Sequence, residues 1–340
     1  MKKHYALLFF LLCFFFQDCR TKMPAHSKMT AAKIPVIFDT DTNNELDDQH
    51  ALAYLLFNGD TFDVEGITVN ATYNGGNITQ HYQEAERILK LCNLSGKIPL
   101  LRGADAGFNQ IEEHINTSIF DGAEAINFII QKAKAAREQP LVILAVGKLT
   151  NVALALKKEP AIAPKVRVVW LGSNYPEPGE YNQDNDTIAM NYVLNTAVPF
   201  EMVTVRYGKP TGTDAVKATK AEINKNMPQK GPKIAPPVTG RHQVAFNNFG
   251  DYSVNLFEHI QYHGTPPARA LFDMAAVAIV KNPAWASAKQ IPAPILKSNR
   301  WEERPKNTRK ITVWESFDRD KIMADFYRTM DQYVLVQAKK

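Results

Sequence analysis

Acidic residues crowd one short stretch near the beginning of the chain, where Asp39, Asp41, Glu45, Asp47 and Asp48 fall within ten positions. Carboxylates this close raise each other's pKa by repulsion unless a cation compensates them. A hard ion such as Ca²⁺ takes about six to eight oxygen ligands, whereas a zinc site would use thiolates and imidazoles. Alternatively, the acids cap the helix that follows and complement its dipole. We favour a Ca²⁺ site.

The elements around these acids predict where they lie. IPVIF, residues 34–38, is typical of a buried strand, and the pattern QHALAYLLF after the acids is helical. Further strand-like runs are VEGITVNA, KIPLLRG, LVILAVG, VRVVWLG and PFEMVTV, and they alternate with helical patterns such as ITQHYQEAERILKL, AEAINFIIQKAKAA and NVALALKK. This alternation predicts an α/β fold with an open, mostly parallel or mixed sheet and helices on both faces. Ligand sites of such sheets gather at the carboxyl ends of strands.

The N-terminus is predicted to be a targeting segment. A basic start and the apolar run YALLFFLLCFFF indicate a signal peptide over residues 1–27, followed by one catalytic domain over residues 28–340. Cys19 follows the run as the cysteine of a bacterial lipoprotein would, although the residues before it match poorly, so lipidation and membrane attachment at Cys19 stay open. We expect an exported protein, periplasmic or at the cell surface. Cys92 is then left without a disulfide partner.

Charge excludes one class of partner. The 340 residues carry a formal net charge of +5, and the lysines and arginines are scattered without interleaved aromatic residues. A nucleic-acid groove would concentrate both, so no nucleic-acid partner is expected.

Three motifs compete for the acidic loop. An EF-hand is rejected, because Asn44 stands where the turn glycine belongs and His50 where the bidentate glutamate belongs. FDTDT also fits a haloacid dehalogenase-type phosphatase with Asp39 as nucleophile, but that hypothesis leaves Asp47 and Asp48 without a role. A third motif uses both.

The stretch DTDTNNELDDQHA resembles the DTDPGxDDA signature of the nucleoside hydrolases, which cleave the N-glycosidic bond of ribonucleosides around a bound Ca²⁺. Three later stretches resemble the same family in the same order: LVILAVGKLTNVALALKKEP its GPLTN turn and helix, GEYNQDN its EFN segment, and ALFDMAAVAIVKNP its HDPLAVA segment. The resemblance runs from about Ile34 to Phe326. It implies a Rossmann-like nucleoside hydrolase fold, a nucleoside or related N-riboside as substrate, and a homo-oligomer.

The resemblance also implies roles for single residues. The implied metal ligands are Asp41, Asp48, Asp273 and the backbone carbonyl of Thr150. Asp41 is also the implied general base, and the implied substrate-binding residues are Asp47, Asn74, Glu180, Asn182 and Asp273, with Asn70 as the alternative to Asn74. In the oxocarbenium-like transition state of such a hydrolysis, carboxylates near the ring and a positioned water are what the chemistry needs.

Some positions depart from the family pattern. TNNEL replaces PGx in the acidic loop, and we expect Glu45 to face solvent. Lys148 replaces the proline of GPLTN. Phe272 stands where many relatives have a histidine that protonates the leaving base, so another group must activate the leaving group or the leaving group must be good enough unaided. The alternative function is therefore a non-catalytic, calcium-dependent ribose-binding or nucleoside-binding protein.

Other side chains are weaker candidates for the site. The histidines that could serve the leaving group are His114, His242, His259 and His263. Trp170 is expected to pack within its strand, and Tyr73 lies in a loop where contact with a ligand is as expected as not. The sequence does not predict which base is preferred.

Overall fold

A computed structural model describes residues 1 and 32–339. The strands are β1 (Ile34–Thr40), β2 (Phe62–Val69), β3 (Leu100–Arg102), β4 (Leu141–Ala145), β5 (Val166–Ser173), β6 (Phe200–Thr204), β7 (Lys217–Thr219), β8 (Val238–Thr239), β9 (Ala245–Phe246), β10 (Ala268–Ala270), β11 (Ser287–Pro292), β12 (Ile295–Lys297), β13 (Arg300–Glu302) and β14 (Lys310–Glu315). The helices are α1 (Asp47–Leu56), α2 (Ile78–Leu91), α3 (Phe108–Ile111), α4 (Ala123–Lys134), α5 (Thr150–Lys158), α6 (Tyr181–Asn185), α7 (Thr187–Leu194), α8 (Lys220–Asn226), α9 (Phe249–Glu258), α10 (Phe272–Lys281) and α11 (Arg319–Asp331).

One eight-stranded sheet organises the chain, with strand order β11-β14-β6-β5-β4-β1-β2-β3. Every neighbouring pair is parallel except β11 and β14 at one edge, which are antiparallel. The six runs predicted as strands are β1 to β6, so the prediction of an open, mostly parallel sheet is confirmed.

Helices cover both faces of this sheet, as predicted. Successive side chains of a strand point to opposite faces, and along β1 the side chains of Val36 and Phe38 pack into one apolar core while that of Ile37 packs into the other. The four helical patterns predicted from the sequence are α1, α2, α4 and α5. With both of its faces buried, β1 is apolar from Ile34 to Phe38 and becomes polar only at its carboxyl end.

The parallel arrangement determines where polar groups can meet. Since parallel strands end at one edge of the sheet, the loops after β1, β4 and β5 converge there, at the switch-point side where such folds bind ligands. Helices α1 and α10 pack against each other, and the first turn of each contains acidic residues: Asp47 and Asp48 in α1, and Asp273 in α10.

Residues Lys33–Lys340 form one compact unit. The predicted signal peptide and Cys19 lie outside the described residues, apart from Met1. Within the part of the chain that the structure describes, no helix combines the length and apolar character needed to cross a membrane.

Candidate active site

A cavity of about 500 Å³ opens at the carboxyl ends of the central strands. Its floor is acidic and its outer wall is aromatic and charged. The lining residues are Asp41, Asn44, Glu45, Asp47, Asp48, Val146, Leu171, Glu180, Tyr181, Asn182, Tyr207, Gly208, Asp214, Lys217, His263, Ala268, Arg269, Ala270, Phe272 and Asp273. Six of the seven side chains that were predicted to bind substrate or metal therefore face one space.

Three carboxylates form the centre of the floor. Asp47, Asp48 and Asp273 are all buried, and each offers an oxygen that lies within 4.8 Å of the oxygens of the other two. All three stand in the first turn of a helix, where the dipole and the free N–H groups favour negative charge. Two helix ends alone do not neutralise three buried carboxylates, so this arrangement fits a divalent cation with oxygen ligands.

Burial and crowding in the floor raise the pKa values of these acids. Burial and then repulsion by neighbouring carboxylates raise the pKa of Asp47 to about 7 and hold those of Asp48 and Asp273 well above the usual range. Without a compensating charge, the floor therefore retains protons near neutral pH. A bound divalent cation would favour the ionised forms instead.

Asp41 occupies the end of β1, beside this cluster. Its side chain is buried, and its Oδ2 accepts a hydrogen bond of 2.6 Å from the hydroxyl of Thr72. Burial raises the pKa of Asp41 to about 6, and the Thr72 hydrogen bond opposes that rise. Gly147, just after β4, allows the close approach: a Cβ there would lie 2.7 Å from Asn70 Oδ1 and 3.0 Å from Asp41 Oδ1.

Glu180 and Asn182 close the side of the floor nearest β5. Glu180 caps α6 by accepting the Gln183 N–H at 2.9 Å, and burial raises its pKa to about 8. Asn182 donates through Nδ2 to the carbonyls of Val146 at 2.7 Å and Leu171 at 3.2 Å. Its Oδ1 is buried and has no hydrogen-bond partner among residues 32–339.

Two predicted site residues do not join the cavity. Thr150 begins α5, where its carbonyl points along the helix rather than back toward the strand ends, and its hydroxyl donates to Asp186 Oδ2 at 2.5 Å. After β4, the residue that does line the cavity is Val146, whose carbonyl accepts the hydrogen bond from Asn182 Nδ2. Asn74 is exposed and outside the lining, and its N–H donates to the Tyr181 hydroxyl at 2.7 Å.

Asp39 has a structural environment that the sequence did not reveal. Its carboxylate is fully buried, outside the lining, and accepts hydrogen bonds from Thr68 at 2.6 Å, Asn151 at 2.7 Å and Asn70 at 3.1 Å. A nucleophile needs access to its substrate, so this geometry argues against a phosphatase that uses Asp39.

The family model described as inosine-uridine preferring nucleoside hydrolase matches residues 36–324. The chain belongs to this family. An inosine-uridine preferring nucleoside hydrolase of Crithidia fasciculata is 24% identical over 76% of this chain and 82% of that protein. A pyrimidine-specific ribonucleoside hydrolase of Escherichia coli is 30% identical over 24% of this chain and 28% of its own.

Solved nucleoside hydrolases share the fold. A plant nucleoside hydrolase superposes with a TM-score of 0.67 at 18% identity, covering 88% of this chain and 99% of that one. A purine-preferring ribonucleoside hydrolase from Gardnerella vaginalis gives 0.64 at 19% identity, covering 87% and 98%. The predicted family and fold are confirmed, and this nucleoside hydrolase is an enzyme that acts on N-glycosyl bonds.

Two side chains near the cavity, those of Glu45 and Arg241, change the expectation for the lengthened acidic loop. Glu45 lines the cavity and forms an ion pair with Arg269 instead of facing solvent alone. Arg241 fixes the lengthened loop by donating to the carbonyls of Glu45 at 2.6 Å and Asn43 at 2.9 Å. The longer path between Asp41 and α1 is therefore held in place by a side chain that is 196 residues away from Glu45 in the chain.

The candidate histidines divide between rim and exterior. His263 is exposed at the cavity rim, where its Nε2 lies 3.2 Å from Arg269 Nη1. The rings of His242 and His259 stack on each other outside the lining, with centroids 3.9 Å apart. His114 is exposed and also outside the lining.

Two aromatic predictions have clear outcomes. Trp170 is completely buried and donates to the Gly147 carbonyl at 2.9 Å, as expected of a packing residue. Tyr73 lies outside the cavity lining and is 74% exposed, with its hydroxyl on the Asp184 carbonyl at 3.1 Å.

Sequence reasoning missed several lining residues: Val146, Tyr181, Tyr207, Asp214, Lys217 and Arg269. Nothing about the side chain of Val146 predicts that it lines the cavity. Tyr181 could have been predicted, because it lies between Glu180 and Asn182 in the sequence. The others come from segments of unremarkable composition, and only the folded chain brings them to the cavity.

Proposed function

We propose that this nucleoside hydrolase cleaves the N-glycosidic bond of ribonucleosides or related N-ribosides to free base and ribose, with Ca²⁺ bound at the cavity floor. The observation that supports this most directly is the convergence of Asp41, Asp47, Asp48 and Asp273, from the loop after β1 and the start of α10, on one buried space. The crowding of these buried acids supports a bound cation independently of the family resemblance.

The residues present fit Ca²⁺. The cluster offers carboxylate oxygens, and the Val146 carbonyl beside it adds a backbone oxygen, whereas no thiolate or imidazole belongs to the cluster. Asp41, Asp48, Asp273 and the Val146 carbonyl are the donors we assign to the ion. When bound, Ca²⁺ supplies polarisation of a water and chelation of vicinal sugar hydroxyls.

The remaining steps use the chain's own groups. Asp41, with a pKa of about 6, is ionised at neutral pH and takes a proton from the water that attacks C1′. Asp47, Glu180 and Asn182 hold the ribose hydroxyls, and their negative or dipolar oxygens stabilise positive charge as it develops on the ring. Contacts remote from the breaking bond supply orientation.

A chelation experiment tests this proposal. Ribose release from a panel of nucleosides and N-ribosides would be measured in millimolar calcium, with and without chelator, for the wild type and Asp48→Asn. We expect both chelator and substitution to abolish release, and the exposed Asp60→Asn to behave as wild type. Release that survives both treatments rules out the metal-dependent mechanism. Calorimetric nucleoside binding without any product would instead identify the non-catalytic binding protein.

Export is part of the proposal. The basic start and apolar run of residues 1–27 support a periplasmic or cell-surface enzyme, and Cys19 is the residue we propose for lipid attachment. Cell fractionation and labelling with a radioactive fatty acid, for wild type and Cys19→Ser, would test both statements. Label retained by Cys19→Ser would refute lipidation there. Light scattering on the purified protein would test the expected homo-oligomer.

A further inference from the structure

The two walls of the cavity differ in what they can offer a substrate. Carboxylates occupy the floor, where the proposed function places the ribose, so the leaving base must lie against the outer wall. That wall contains the aromatic rings of Tyr207 and Phe272, which pack edge to face with centroids 5.8 Å apart. Because Phe272 directly precedes Asp273, this aromatic pair borders the floor where the C1′–N bond would lie.

Tyr207 is held in position by its own backbone and by its neighbour in the chain. Its N–H donates to Asn174 Oδ1 at 3.1 Å. Arg206 before it has φ +47 and a buried side chain that pairs with Glu315 and donates to the Tyr175 carbonyl at 3.1 Å. These contacts hold the loop after β6 in place, and with it the Tyr207 ring that lines the cavity.

The Tyr207 hydroxyl has a proton to give. No acceptor within residues 32–339 takes its hydrogen, and the Tyr181 backbone N–H that faces its oxygen can only donate to it. Tyr207 is 44% exposed, and the partial burial of its ring raises the pKa of the phenol above its ordinary value, so the hydroxyl is neutral at physiological pH. An N–H that donates to the oxygen strengthens the hydroxyl as a donor.

Competing donors on this wall are engaged elsewhere. Lys217 pairs with Asp214 at 3.1 Å, and Arg269 pairs with Glu45 and contacts His263. Phe272 has no proton to donate. Among the described lining residues, Tyr181 and Tyr207 are then the neutral hydroxyl donors, and Tyr207 is the one whose ring packs on Phe272, next to the floor residue Asp273.

We propose that Tyr207 is the hydrogen-bond donor that activates the leaving base, an inference that rests on the proposed function. As the C1′–N bond breaks, its electron pair remains on the nitrogen heterocycle, and the Tyr207 hydroxyl stabilises that charge. The water oxygen bonds to C1′, Asp41 takes one water proton and returns it to solvent, and the base takes up a solvent proton. The net reaction consumes one water.

Two substrates with different leaving groups separate this role from a structural one. Kinetics would be measured for wild type and Tyr207→Phe on a nucleoside and on 4-nitrophenyl β-D-ribofuranoside, whose leaving anion needs no stabilising donor. We expect Tyr207→Phe to lower kcat/KM for the nucleoside by roughly tenfold or more, and to change that for the nitrophenyl riboside less than about threefold. The matched control is Tyr333→Phe, a tyrosine that lies outside the cavity lining and packs on Phe57.

Each other result overturns one of two statements, the role of Tyr207 or the proposed function. Equal losses on both substrates would mean that Tyr207 only shapes the cavity, and no loss on either would mean that it donates nothing; both overturn the role of Tyr207. Wild-type protein that hydrolyses neither substrate overturns the proposed function itself. Wild-type protein that hydrolyses only the nitrophenyl riboside also overturns the role of Tyr207, because no nucleoside base is then being activated.

Discussion

The hydroxyl of Thr72 donates to Asp41 Oδ2 at 2.6 Å, and this bond joins the loop after β2 to the end of β1. It is the side-chain contact that most favours the ionised form of Asp41, against a burial that favours the protonated form. The contact therefore helps to determine the pH at which the proposed base is ready to accept a proton.

Removing that hydroxyl with Thr72→Val should shift the acidic limb of the pH profile of kcat/KM to higher pH. The lost hydrogen bond raises the pKa of Asp41 further above about 6, so a smaller fraction of the base is ionised at a given pH below neutrality. We expect roughly tenfold lower activity at mildly acidic pH and recovery at alkaline pH. Thr61→Val, which removes an exposed hydroxyl near Asp60, is the control. An unchanged limb would show that Thr72 does not tune Asp41.

Calcium should stabilise the protein more at pH 8 than at pH 5. The pKa values of the assigned carboxylate ligands are raised above the ordinary value of 3.8, that of Asp41 to about 6 and those of Asp48 and Asp273 well above their usual range, so the folded state binds more protons than the unfolded state from about pH 4 upward through those values. Stability of the metal-free protein therefore falls as pH rises through that window, and cation binding offsets the loss.

The measurement is the difference in melting temperature with calcium and with chelator, taken across pH 5 to 8. Buried His50, whose pKa burial lowers to about 4, loses its own contribution to stability as pH falls below 6.5, but that effect is equal in both arms and cancels. Asp48→Asn should abolish the difference. A calcium effect that is independent of pH would contradict the assignment of these carboxylates as ligands.

The position of Thr150 outside the cavity can be tested by substitution. Thr150→Val should weaken folding by about 1–3 kcal/mol, because buried Asp186 loses a hydrogen-bond donor, while calcium affinity stays within about threefold. Asn74→Ala should likewise change kcat/KM less than about threefold, whereas Asn182→Ala should lower it by about tenfold or more. Calorimetry with calcium and steady-state kinetics would measure these. Because Thr150→Val keeps the Thr150 backbone carbonyl, loss of calcium binding in this variant would mean that the Thr150–Asp186 hydrogen bond supports the metal site.

Much of the sheet could be predicted because burial on both faces requires apolar strands, and β1, β2, β4, β5 and β6 satisfy that rule. The edge strand β11 and its neighbour β14 were not predicted; β11 is mostly exposed and lacks the apolar run of a buried strand. In the site, acids crowded next to a strand could be interpreted from repulsion alone, which is how Asp47 and Asp48 were found. Asp273, from a distant helix, needed the family resemblance.

The parts that could not be predicted depend on backbone direction and long-range contacts. Val146 and Thr150 are four residues apart, and Val146 lines the cavity while Thr150, at the start of α5, does not. Glu45 pairs with Arg269 because α10 and its preceding strand approach α1 in the folded chain. No local pattern encodes either fact.

Gly147→Ala, which adds one methyl group to the site, should lower both the stability and the activity of the protein. The new Cβ would lie 2.7 Å from Asn70 Oδ1 and 3.0 Å from Asp41 Oδ1, so the loop after β4 or the end of β1 must move. We expect a loss of about 1–3 kcal/mol in stability and at least a hundredfold loss of kcat/KM, since a displacement of about 1 Å at a reacting group costs about that much. Gly107→Ala is the control, because its Cβ would meet no atom closer than 3.6 Å. Denaturant unfolding and nucleoside kinetics together decide the matter: full activity in Gly147→Ala would mean that Asp41 need not remain where the structure places it, and its role as the base would have to be abandoned.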